Sequence, residues 1–275
     1  MQEIFFESVH PAAQSFPYID FNMKNINYFS HFHEEVEIAA VISGAVNIAC
    51  EGEQFKAEQG DICIFMPGEI HSFSTDEANH LYIIKINCKN SVSGIEFASH
   101  AITPHVFQPG NLLNSRITES ISSIKKETEL KENGYAYMVN SLSNKILCDI
   151  IRSGCIIKMT GETKKKHLLS LDLLKKVSDY IDAHYSESIY LADAAEYCNM
   201  SLYYFAHLFK EISGTTFYNY LTAFRLEKSL FFLLHTGKNI TDIAYECGFS
   251  NVRSYNRVFK KVFSLTPTEY VKSMK

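Results

Sequence analysis

An internal repeat in the second half of the chain constrains the fold more than any other feature, since repeated sequence predicts a repeated structural unit. Residues 191–201 (LADAAEYCNMS) resemble residues 240–250 (ITDIAYECGFS) at an offset of 49. The second copy then gains one residue, and residues 205–210 (FAHLFK) match residues 255–260 (YNRVFK) at an offset of 50. The second half is therefore predicted to contain two copies of one small helical unit.

Each copy has the pattern of a short helix, a tight turn and a second helix. The turn holds Asn199 in the first copy and Gly248 in the second, and both residue types tolerate a positive φ. Ser201 and Ser250 are expected to cap the second helices. This is the helix-turn-helix arrangement, in which the second helix enters the major groove of DNA.

The second helix of each copy is predicted to have an apolar and a polar face. The residues predicted to face the core are Phe205, Leu208, Phe209 and Ile212 in the first copy and Tyr255, Val258, Phe259 and Val262 in the second. The residues predicted to face outward are Tyr203, Tyr204, His207 and Lys210, then Arg253, Asn256, Arg257 and Lys260. Guanidinium and amide groups are those that recognise guanine and adenine edges, so the second copy is expected to read bases more strongly.

The first third of the chain is predicted to form strands. Four short runs rich in β-branched residues are separated by turn residues, namely Val36–Ile42, Ala45–Cys50, Asp61–Met66 and Leu81–Cys88. Short strands at close spacing predict an antiparallel sandwich or barrel. Cys50, Cys63 and Cys88 lie in these strands and are expected to be small buried hydrophobic residues.

Helical periodicity begins at about Asn111. Two helices are predicted from apolar stripes, one through Ile117, Ile121, Ile124 and Thr128 and one through Met138, Leu142, Ile146 and Ile150. They either cover the barrel only or also mediate self-association. The polar run Thr160–Lys166 has no apolar periodicity and predicts a linker.

Composition limits the compartment and the partners. No apolar run approaches the roughly 18 residues of a membrane span, and the first residues do not resemble a secretory signal. Seven scattered cysteines without a CxxC pair predict a reducing cytosol rather than a disulfide framework. Residues 165–275 hold 14 Lys and Arg against 11 Asp and Glu, whereas residues 1–164 hold 12 against 20. An acidic first half and a mildly basic second half suggest a sensor joined to a polyanion-binding domain.

The second half resembles the arabinose-regulator (AraC/XylS) family of bacterial transcription factors. The segments that carry the resemblance are ITDIAYECGFS (240–250), FKKVF (259–263) and LTPTEY (265–270). The resemblance covers about Leu173 to Val271. It implies seven helices, two helix-turn-helix units joined by a long helix around Tyr220–Leu234, and recognition helices in successive major grooves.

The family pattern implies DNA contacts at seven positions, which are Tyr203, Ala206, His207, Val252, Arg253, Asn256 and Arg257. Together with the outward faces and the caps, the predicted DNA-binding residues are Ser201, Tyr203, Tyr204, Ala206, His207, Lys210, Ser250, Val252, Arg253, Asn256, Arg257 and Lys260. Ala206 and His207 replace a polar and basic pair frequent in the family, so the first copy is expected to contact bases weakly or to read shape and thymine methyl groups.

The first half resembles the cupins. Residues 31–37 (HFHEEVE) followed by Gly44 have the spacing of the first cupin motif, and residues 60–71 (GDICIFMPGEIH) are close to the second. The resemblance implies a jelly-roll-like barrel that binds an effector and dimerises.

A candidate polar site follows from the first cupin-like segment. His31, His33 and Glu37 would share one face of an extended strand, and His71 is expected to close the set. Three imidazoles and a carboxylate can hold Fe, Mn, Ni or Zn. Three interpretations remain open: a divalent metal site, direct binding of an effector, and histidines that satisfy backbone groups at the barrel rim. Three aromatic residues either line the effector pocket or belong to the core, and these are Phe65, Phe73 and Tyr82.

The sequence thus predicts an α+β multidomain protein. Residues 1–110 are assigned to a cupin-like effector-binding barrel with an N-terminal arm, residues 111–155 to a helical dimerisation segment, residues 156–167 to a linker and residues 168–275 to a DNA-binding domain. The predicted function is that of a cytoplasmic, sequence-specific, homodimeric transcriptional regulator that is not an enzyme. It is expected to sense a small molecule, with a sugar as the family-level hypothesis. Activation is the family default, with RNA polymerase as a candidate partner at the promoter, and repression is the open alternative. The alternatives are a metal-dependent cupin enzyme and a metal-sensing regulator, each using the His31, His33, Glu37 and His71 set.

Overall fold

The computed structural model describes residues 4–6, 16–26, 28–88, 97–213, 215–263 and 265–273. Most of the N-terminal arm predicted at about Met1–Ile19 lies outside these residues. The chain divides into two compact units, an N-terminal unit of residues 7–171 and a C-terminal unit of residues 172–275 with residues 1–6. No helix in the described ranges is long and apolar enough to cross a membrane.

Antiparallel strands build most of the N-terminal unit. After β1 (Ile4–Phe6), which belongs to the other unit, the strands are β2 (Tyr18–Lys24), β3 (Tyr28–Phe32), β4 (Val36–Ser43), β5 (Ala45–Cys50), β6 (Glu53–Glu58), β7 (Ile62–Phe65), β8 (His71–Ser74), β9 (His80–Ile86), β10 (His100–Ile102), β11 (Val106–Phe107) and β12 (Ile156–Lys158). One sheet has the order β3-β8-β5-β6 and the other the order β11-β7-β4-β9-β2, while β10 pairs with β12. The predicted antiparallel β-domain is confirmed.

Strand alternation divides the apolar side chains between two cores. On β4, Val36, Ile38 and Ala40 pack in a cluster with the helices that follow the sheets. Their neighbours Ala39 and Val41 belong to a second cluster, which gathers residues from both sheets. Successive side chains of a strand point to opposite faces, so β4, whose residues are mostly apolar, is buried on both sides.

Two helices, α1 (Leu112–Leu130) and α2 (Tyr135–Arg152), follow the sheets. The Asn111 side chain caps α1 by accepting the backbone N–H of Leu113 at 2.8 Å. The predicted α1 stripe is buried at its three isoleucines, but Met138, predicted to face the core from α2, is 49% exposed. A row of residues spaced four apart drifts by about 40° per step, so Met138 and Ile150 lie on different sides of the helix. Ile146 and Ile150 of the predicted stripe are buried, and the other buried residues of α2 are Val139, Ser143, Leu147 and Asp149.

Residues 156–167, which were predicted to be a polar linker, have regular secondary structure over most of their length. Strand β12 pairs with β10 over Ile156–Lys158, and helix α3 (Gly161–His184) begins directly after it. The first turns of α3 are largely exposed and therefore show no apolar stripe. Their Glu and Lys residues are nevertheless good helix formers, which periodicity alone does not detect.

Within residues 161–273, as far as they are described, seven helices occur, in agreement with the family resemblance. After α3 these are α4 (Leu191–Tyr197), α5 (Leu202–Ser213), α6 (Phe217–His235), α7 (Ile240–Glu246), α8 (Val252–Phe263) and α9 (Pro267–Ser273). The pairs α4–α5 and α7–α8 are the two copies of the repeat, and the long helix α6 lies between them in sequence.

The turn inside each copy has the expected left-handed residue. Asn199 has a φ of 56° and Gly248 a φ of 78°. At Gly248 a Cβ atom would lie 2.1 Å from the carbonyl oxygen of Tyr185, which also accepts the Arg225 Nε–H at 2.8 Å. Glycine is therefore required here by both φ and space.

The cap of the second recognition helix differs from the prediction. The backbone N–H of Ser254 donates to Oδ1 of Asn251 at 2.7 Å, so Asn251, and not Ser250, caps α8. In the first copy Ser201 does accept the N–H of Tyr204, at 3.4 Å. The reason is the extra residue of the second copy, which precedes α8 and brings Asn251 into the position equivalent to Ser201.

Candidate nucleic-acid interface and buried polar site

The two recognition helices, α5 and α8, are anchored by aromatic residues. Phe205 and Phe209 of α5 are fully buried, as are Tyr255 and Phe259 of α8. The Tyr255 hydroxyl donates to Oγ of Ser229 at 3.2 Å, which satisfies its polar group within the core. This packing determines which side of each helix faces outward.

Most residues predicted to contact DNA are exposed. The exposed ones are Ser201, Tyr203, Tyr204, His207 and Lys210 in the first copy and Ser250, Arg253, Arg257 and Lys260 in the second. The half-buried ones are Ala206, Val252 and Asn256. Val252 packs against the core of the second copy, which leaves less of its side chain for a partner.

The charge on α8 is available to a partner. Within the described residues, Arg253 and Arg257 form no ion pair with a carboxylate, and both are exposed. The outward face of α5 carries Lys210 and His207 together with two exposed tyrosines, of which Tyr203 is 83% exposed. The two copies therefore share a backbone arrangement and differ in surface chemistry.

A buried polar cluster lies inside the β-domain. His31, His33, Glu37 and His71 are each about 1% exposed, and one potential ligand atom from each lies within 4.8 Å of the others. Nε2 of His33 is 2.9 Å from Oε2 of Glu37, and Nε2 of His71 is 3.6 Å from Oε1 of Glu37. The predicted set is thus brought together.

The route by which the cluster assembles differs from the prediction. The three residues predicted to lie on one strand occupy three segments: His31 is near the end of β3, His33 lies between β3 and β4, and Glu37 is on β4. Their convergence depends on strand pairing, since His31 is the register partner of His71 and Glu37 that of Phe65.

The cluster includes a lysine that the sequence analysis missed. Lys85 on β9 is the register partner of Glu37, and its Nζ lies 3.2 Å from Oε2 of Glu37 with only 2% of the side chain exposed. The available signal was a single lysine in the otherwise apolar run 81–86.

Burial and charge determine the protonation of the cluster. Burial, the His71 ring and the Lys85 ammonium together hold the pKa of His31 well below its ordinary value, so this imidazole is neutral. Burial also disfavours the Glu37 carboxylate, but the Lys85 ammonium and the hydrogen bond from His33 outweigh it and hold the pKa of Glu37 well below its ordinary value. Glu37 is therefore an anion paired with a buried cation.

Two atoms of the cluster are open to a further partner. Oε1 of Glu37 and Nε2 of His71 are buried and find no hydrogen-bond partner among the described residues. Buried polar atoms without partners cost about 1–3 kcal/mol each, so they mark places where a ligand would be favourable. The His71 ring is held parallel to Phe65, with a centroid distance of 4.1 Å.

The aromatic residues predicted to line the pocket separate into two groups. Phe65 and Phe73 are buried beside the histidines and belong to the cluster between the sheets. Tyr82 lies on the opposite face of β9, packs with the helix-side cluster and contacts Phe21. The prediction that Tyr82 lines this site is wrong, because Lys85 and Tyr82 have opposite parity on the same strand.

A two-sheet antiparallel domain with a buried polar cluster, followed by two helix-turn-helix units, defines a class of two-part DNA-binding proteins. An AraC-like ligand binding domain family matches residues 16–135, and a helix-turn-helix domain family matches residues 194–273. The chain belongs to the AraC family of helix-turn-helix transcriptional regulators.

Individual relatives agree with this assignment. An HTH-type transcriptional regulator of Staphylococcus aureus is 26% identical over 234 residues, which are 85% of this chain and 31% of the relative. The chain thus spans about a third of the length of that protein. The HTH-type transcriptional regulator YdeC of Bacillus subtilis is 22% identical over 261 residues, covering 90% of this chain and 88% of the relative.

Solved structures show the same fold. ToxT from Vibrio cholerae bound to (E)-4-(8-methylnaphthalen-1-yl)but-3-enoic acid has a TM-score of 0.63 at 14% identity, covering 94% of this chain and 98% of ToxT. Wild-type ToxT bound to an unsaturated fatty acid has a TM-score of 0.60 at 15% identity, covering 93% of each chain.

Proposed function

We propose that the protein is a sequence-specific DNA-binding transcriptional regulator that places α5 and α8 in major grooves and responds to a ligand in its β-domain. The proposal of DNA binding rests on one observation: α5 and α8 are equivalent helices, and each has an apolar face buried in the core and an opposite face that is exposed. The proposal includes no catalysed reaction, since the relatives are transcriptional regulators.

The second copy is proposed to supply most of the base recognition. Arg253 and Arg257 are exposed one turn apart on α8, and a bidentate contact from arginine to guanine contributes about 1–3 kcal/mol of discrimination. The first copy presents Tyr203 and His207, which suit contacts with phosphate groups, thymine methyl groups and groove shape.

Selection of binding sites from random duplex DNA, followed by fluorescence anisotropy, tests this proposal. Arg257→Ala is expected to lose roughly 1–3 kcal/mol of specific binding and to relax one base position. Arg152→Ala removes the same exposed group from α2, in the N-terminal unit, and is the matched control. Equal affinity and specificity of Arg257→Ala and Arg152→Ala would refute the role of α8.

The buried polar cluster supports ligand binding in the β-domain. Glu37 and Lys85 neutralise each other, and Oε1 of Glu37 and Nε2 of His71 are left to contact a ligand. A small uncharged molecule with a hydroxyl group, such as a sugar, would satisfy both atoms without adding charge to the interior. The ToxT structures contain a fatty acid and a naphthalenyl acid, so an organic effector is compatible with this fold.

Metal sensing is the second candidate, and one observation favours it. The donors of His31, His33, Glu37 and His71 match a divalent transition metal in type and in mutual distance. The Lys85 ammonium opposes it, because a divalent cation would meet a positive charge already paired with the only carboxylate of the set. For this reason the organic effector is the preferred proposal.

Operator binding by the full chain, measured with chelator or with Zn²⁺, Mn²⁺, Fe²⁺ or Ni²⁺, separates the two candidates. Metal sensing predicts that one of these ions shifts operator affinity and that Glu37→Gln abolishes the shift. An organic effector predicts no shift with any ion, together with a shift from a member of a sugar and carboxylic-acid panel that His71→Phe weakens. If no compound of the panel changed either the operator affinity or the thermal stability of the protein, the proposal of an organic effector would be contradicted.

A homodimer and a contact with RNA polymerase also belong to the proposal. Support for self-association comes from exposed apolar side chains near the α1–α2 turn, namely Leu130, Tyr137 and Met138. Sedimentation of wild type and of Tyr137→Ser tests the dimer, which the variant is expected to weaken. Transcription from a promoter by purified RNA polymerase, measured with and without the protein, tests activation by contact with the polymerase.

A further inference from the structure

A second cluster of metal-binding side chains lies in the β-domain and shares no residue with the histidine cluster. It consists of Cys50 at the end of β5, Glu69 in the turn between β7 and β8, and His105 just before β11. Sγ of Cys50 is 3.6 Å from Nε2 of His105, which in turn is 3.2 Å from Oε2 of Glu69. One sulfur, one nitrogen and one oxygen donor thus converge.

Two of the three separations between these atoms are those of a tetrahedral zinc site, and the third, between Sγ of Cys50 and a carboxylate oxygen of Glu69, is within 4.8 Å. With a Zn–S bond of about 2.3 Å and Zn–N and Zn–O bonds of about 2.0–2.1 Å, tetrahedral angles separate S from N by about 3.6 Å and N from O by about 3.3 Å. The observed distances of 3.6 Å and 3.2 Å therefore need little side-chain movement to accept the ion.

The donors are held in place by their surroundings. The backbone N–H of Met66 donates to Oε2 of Glu69 at 2.8 Å, and the His105 ring is stacked on Phe55 with an interplanar angle of 12°. Supporting contacts of this kind orient ligands in established metal sites. Cys50 and Glu69 are buried, whereas the His105 side chain is 16% exposed and opens the cluster to solvent.

The local charge favours a cation. The Glu69 carboxylate contacts the His105 ring directly, and the carboxylates of Glu53 and Glu51 add negative charge around it. The imidazole thus lies in a negative potential, which has the sign that attracts a metal ion. In the histidine cluster a lysine is paired with the carboxylate, whereas among the described residues no lysine is paired with Glu69.

We propose that Cys50, Glu69 and His105 form a zinc site with three protein ligands and water at the fourth position. Binding converts the Cys50 thiol to a thiolate and removes the proton that His105 shares with Glu69, and both protons leave to solvent. A thiolate, an imidazole and a carboxylate are all ordinary ligands of Zn²⁺. The site goes beyond the proposed function, because it requires neither DNA binding nor an effector.

Titration of the metal-stripped full chain with Zn²⁺ and with Co²⁺ tests the proposal. Wild type is expected to show thiolate-to-cobalt charge-transfer absorption, which the histidine cluster cannot produce because it has no sulfur, and Zn²⁺ is expected to displace the Co²⁺. Cys50→Ala is expected to lose this absorption, whereas Cys63→Ala, the same change at a buried cysteine on β7, retains it.

A second variant covers the case in which Cys50→Ala does not fold. His105→Phe keeps the ring stacking on Phe55 at a position that is only 16% exposed, and it removes the nitrogen donor. Loss of supporting groups alone costs metal sites about 10–100-fold in affinity, so loss of this ligand is expected to weaken Zn²⁺ binding at least tenfold. The proposal is overturned by absence of the absorption in wild type, by its persistence in Cys50→Ala, or by unchanged Zn²⁺ affinity in His105→Phe. DNA binding is measured separately, so its failure would not affect this result.

Discussion

The Lys85 ammonium lies 3.2 Å from the Glu37 carboxylate, and both side chains are almost fully excluded from solvent. They belong to adjacent strands, with Glu37 and Lys85 in direct register. Each charge is tolerated in the interior because the other is present. The pair therefore links the stability of the β-domain to the polar cluster.

Removing one member of this pair is expected to destabilise the protein strongly. Glu37→Gln or Lys85→Met should each cost about 3–5 kcal/mol, because an uncompensated charge is left buried. The double variant should recover most of that loss. Denaturant unfolding gives the three free energies. The exposed pair Asp172–Lys176 is the control, and Asp172→Asn should cost less than about 1 kcal/mol. Additive losses in the double variant would show that the charges are not coupled.

Acidification is expected to reduce stability through His31. Its pKa is lowered in the folded protein, chiefly by burial, whereas an unfolded histidine has a pKa of about 6.5. Below about pH 6.5 the unfolded chain then binds more protons, so stability falls as the pH falls. His105 acts in the opposite direction, because its folded pKa is raised and its contribution is lost as the pH rises.

Comparison of wild type with His31→Gln isolates this contribution. Unfolding free energies at about pH 7.5 and about pH 5.5 should differ less in the variant than in wild type. The exposed His207→Gln is the matched control and should leave the difference unchanged. An identical pH dependence in wild type and His31→Gln would contradict the burial effect.

Alanine substitution of Gly248 and of Gly134 separates the cost of backbone strain from the cost of a steric clash. Both have positive φ, at 78° and 89°, but a Cβ atom at Gly248 would meet the Tyr185 carbonyl at 2.1 Å, whereas one at Gly134 meets nothing within 4 Å. Gly134→Ala should cost about 1–2 kcal/mol from the left-handed conformation alone. Gly248→Ala should cost clearly more, as measured by thermal unfolding. Equal losses would mean that the turn relaxes to accommodate the methyl group.

Substitution of the two residues before α8, Ser250 and Asn251, is expected to affect stability differently. Asn251→Ala should lose about 1 kcal/mol, within a range of about 0.5–2 kcal/mol, because the Ser254 N–H loses its acceptor. Ser250→Ala should be nearly neutral. Chemical denaturation monitored by circular dichroism measures both. A larger loss for Ser250→Ala would restore the capping role that the sequence suggested for it.

Lys260 is expected to contribute to DNA affinity without contributing to specificity. It is exposed on α8, and a lysine that neutralises one phosphate releases about one counterion. Lys260→Ala should weaken all duplexes alike and reduce the slope of log affinity against log salt by about 1. Binding isotherms over a salt series, on a selected site and on a scrambled one, give both values. An unchanged slope would place Lys260 away from the phosphates.

The helix-turn-helix half could be predicted almost completely from sequence. Its units are short, their contacts are local, and the repeat shows which positions must be equivalent. The left-handed turn at Gly248 and the buried anchors Tyr255 and Phe259 were predicted in this way and are confirmed. The cap at Asn251 was missed because a single inserted residue shifts the helix start.

The contacts inside the β-domain could not be predicted from sequence and required the tertiary structure. The histidine motif predicted a polar cluster. Lys85, which compensates the charge of Glu37, lies 48 residues further along the chain, and strand register alone brings the two side chains together. The sequence left open whether Tyr82 lines the pocket or belongs to the core, because both faces of its strand are largely apolar and the sequence does not show which face lies toward the histidines.

The sequence alone thus determined the family, the duplicated helical unit and the identity of four buried polar residues, since these are properties of local pattern. The tertiary structure alone decided which distant side chains meet, namely Lys85 with Glu37 and Cys50 with His105. Strand pairing brings together residues that are far apart in the chain, and a change of register by one residue would turn each of them to the opposite face.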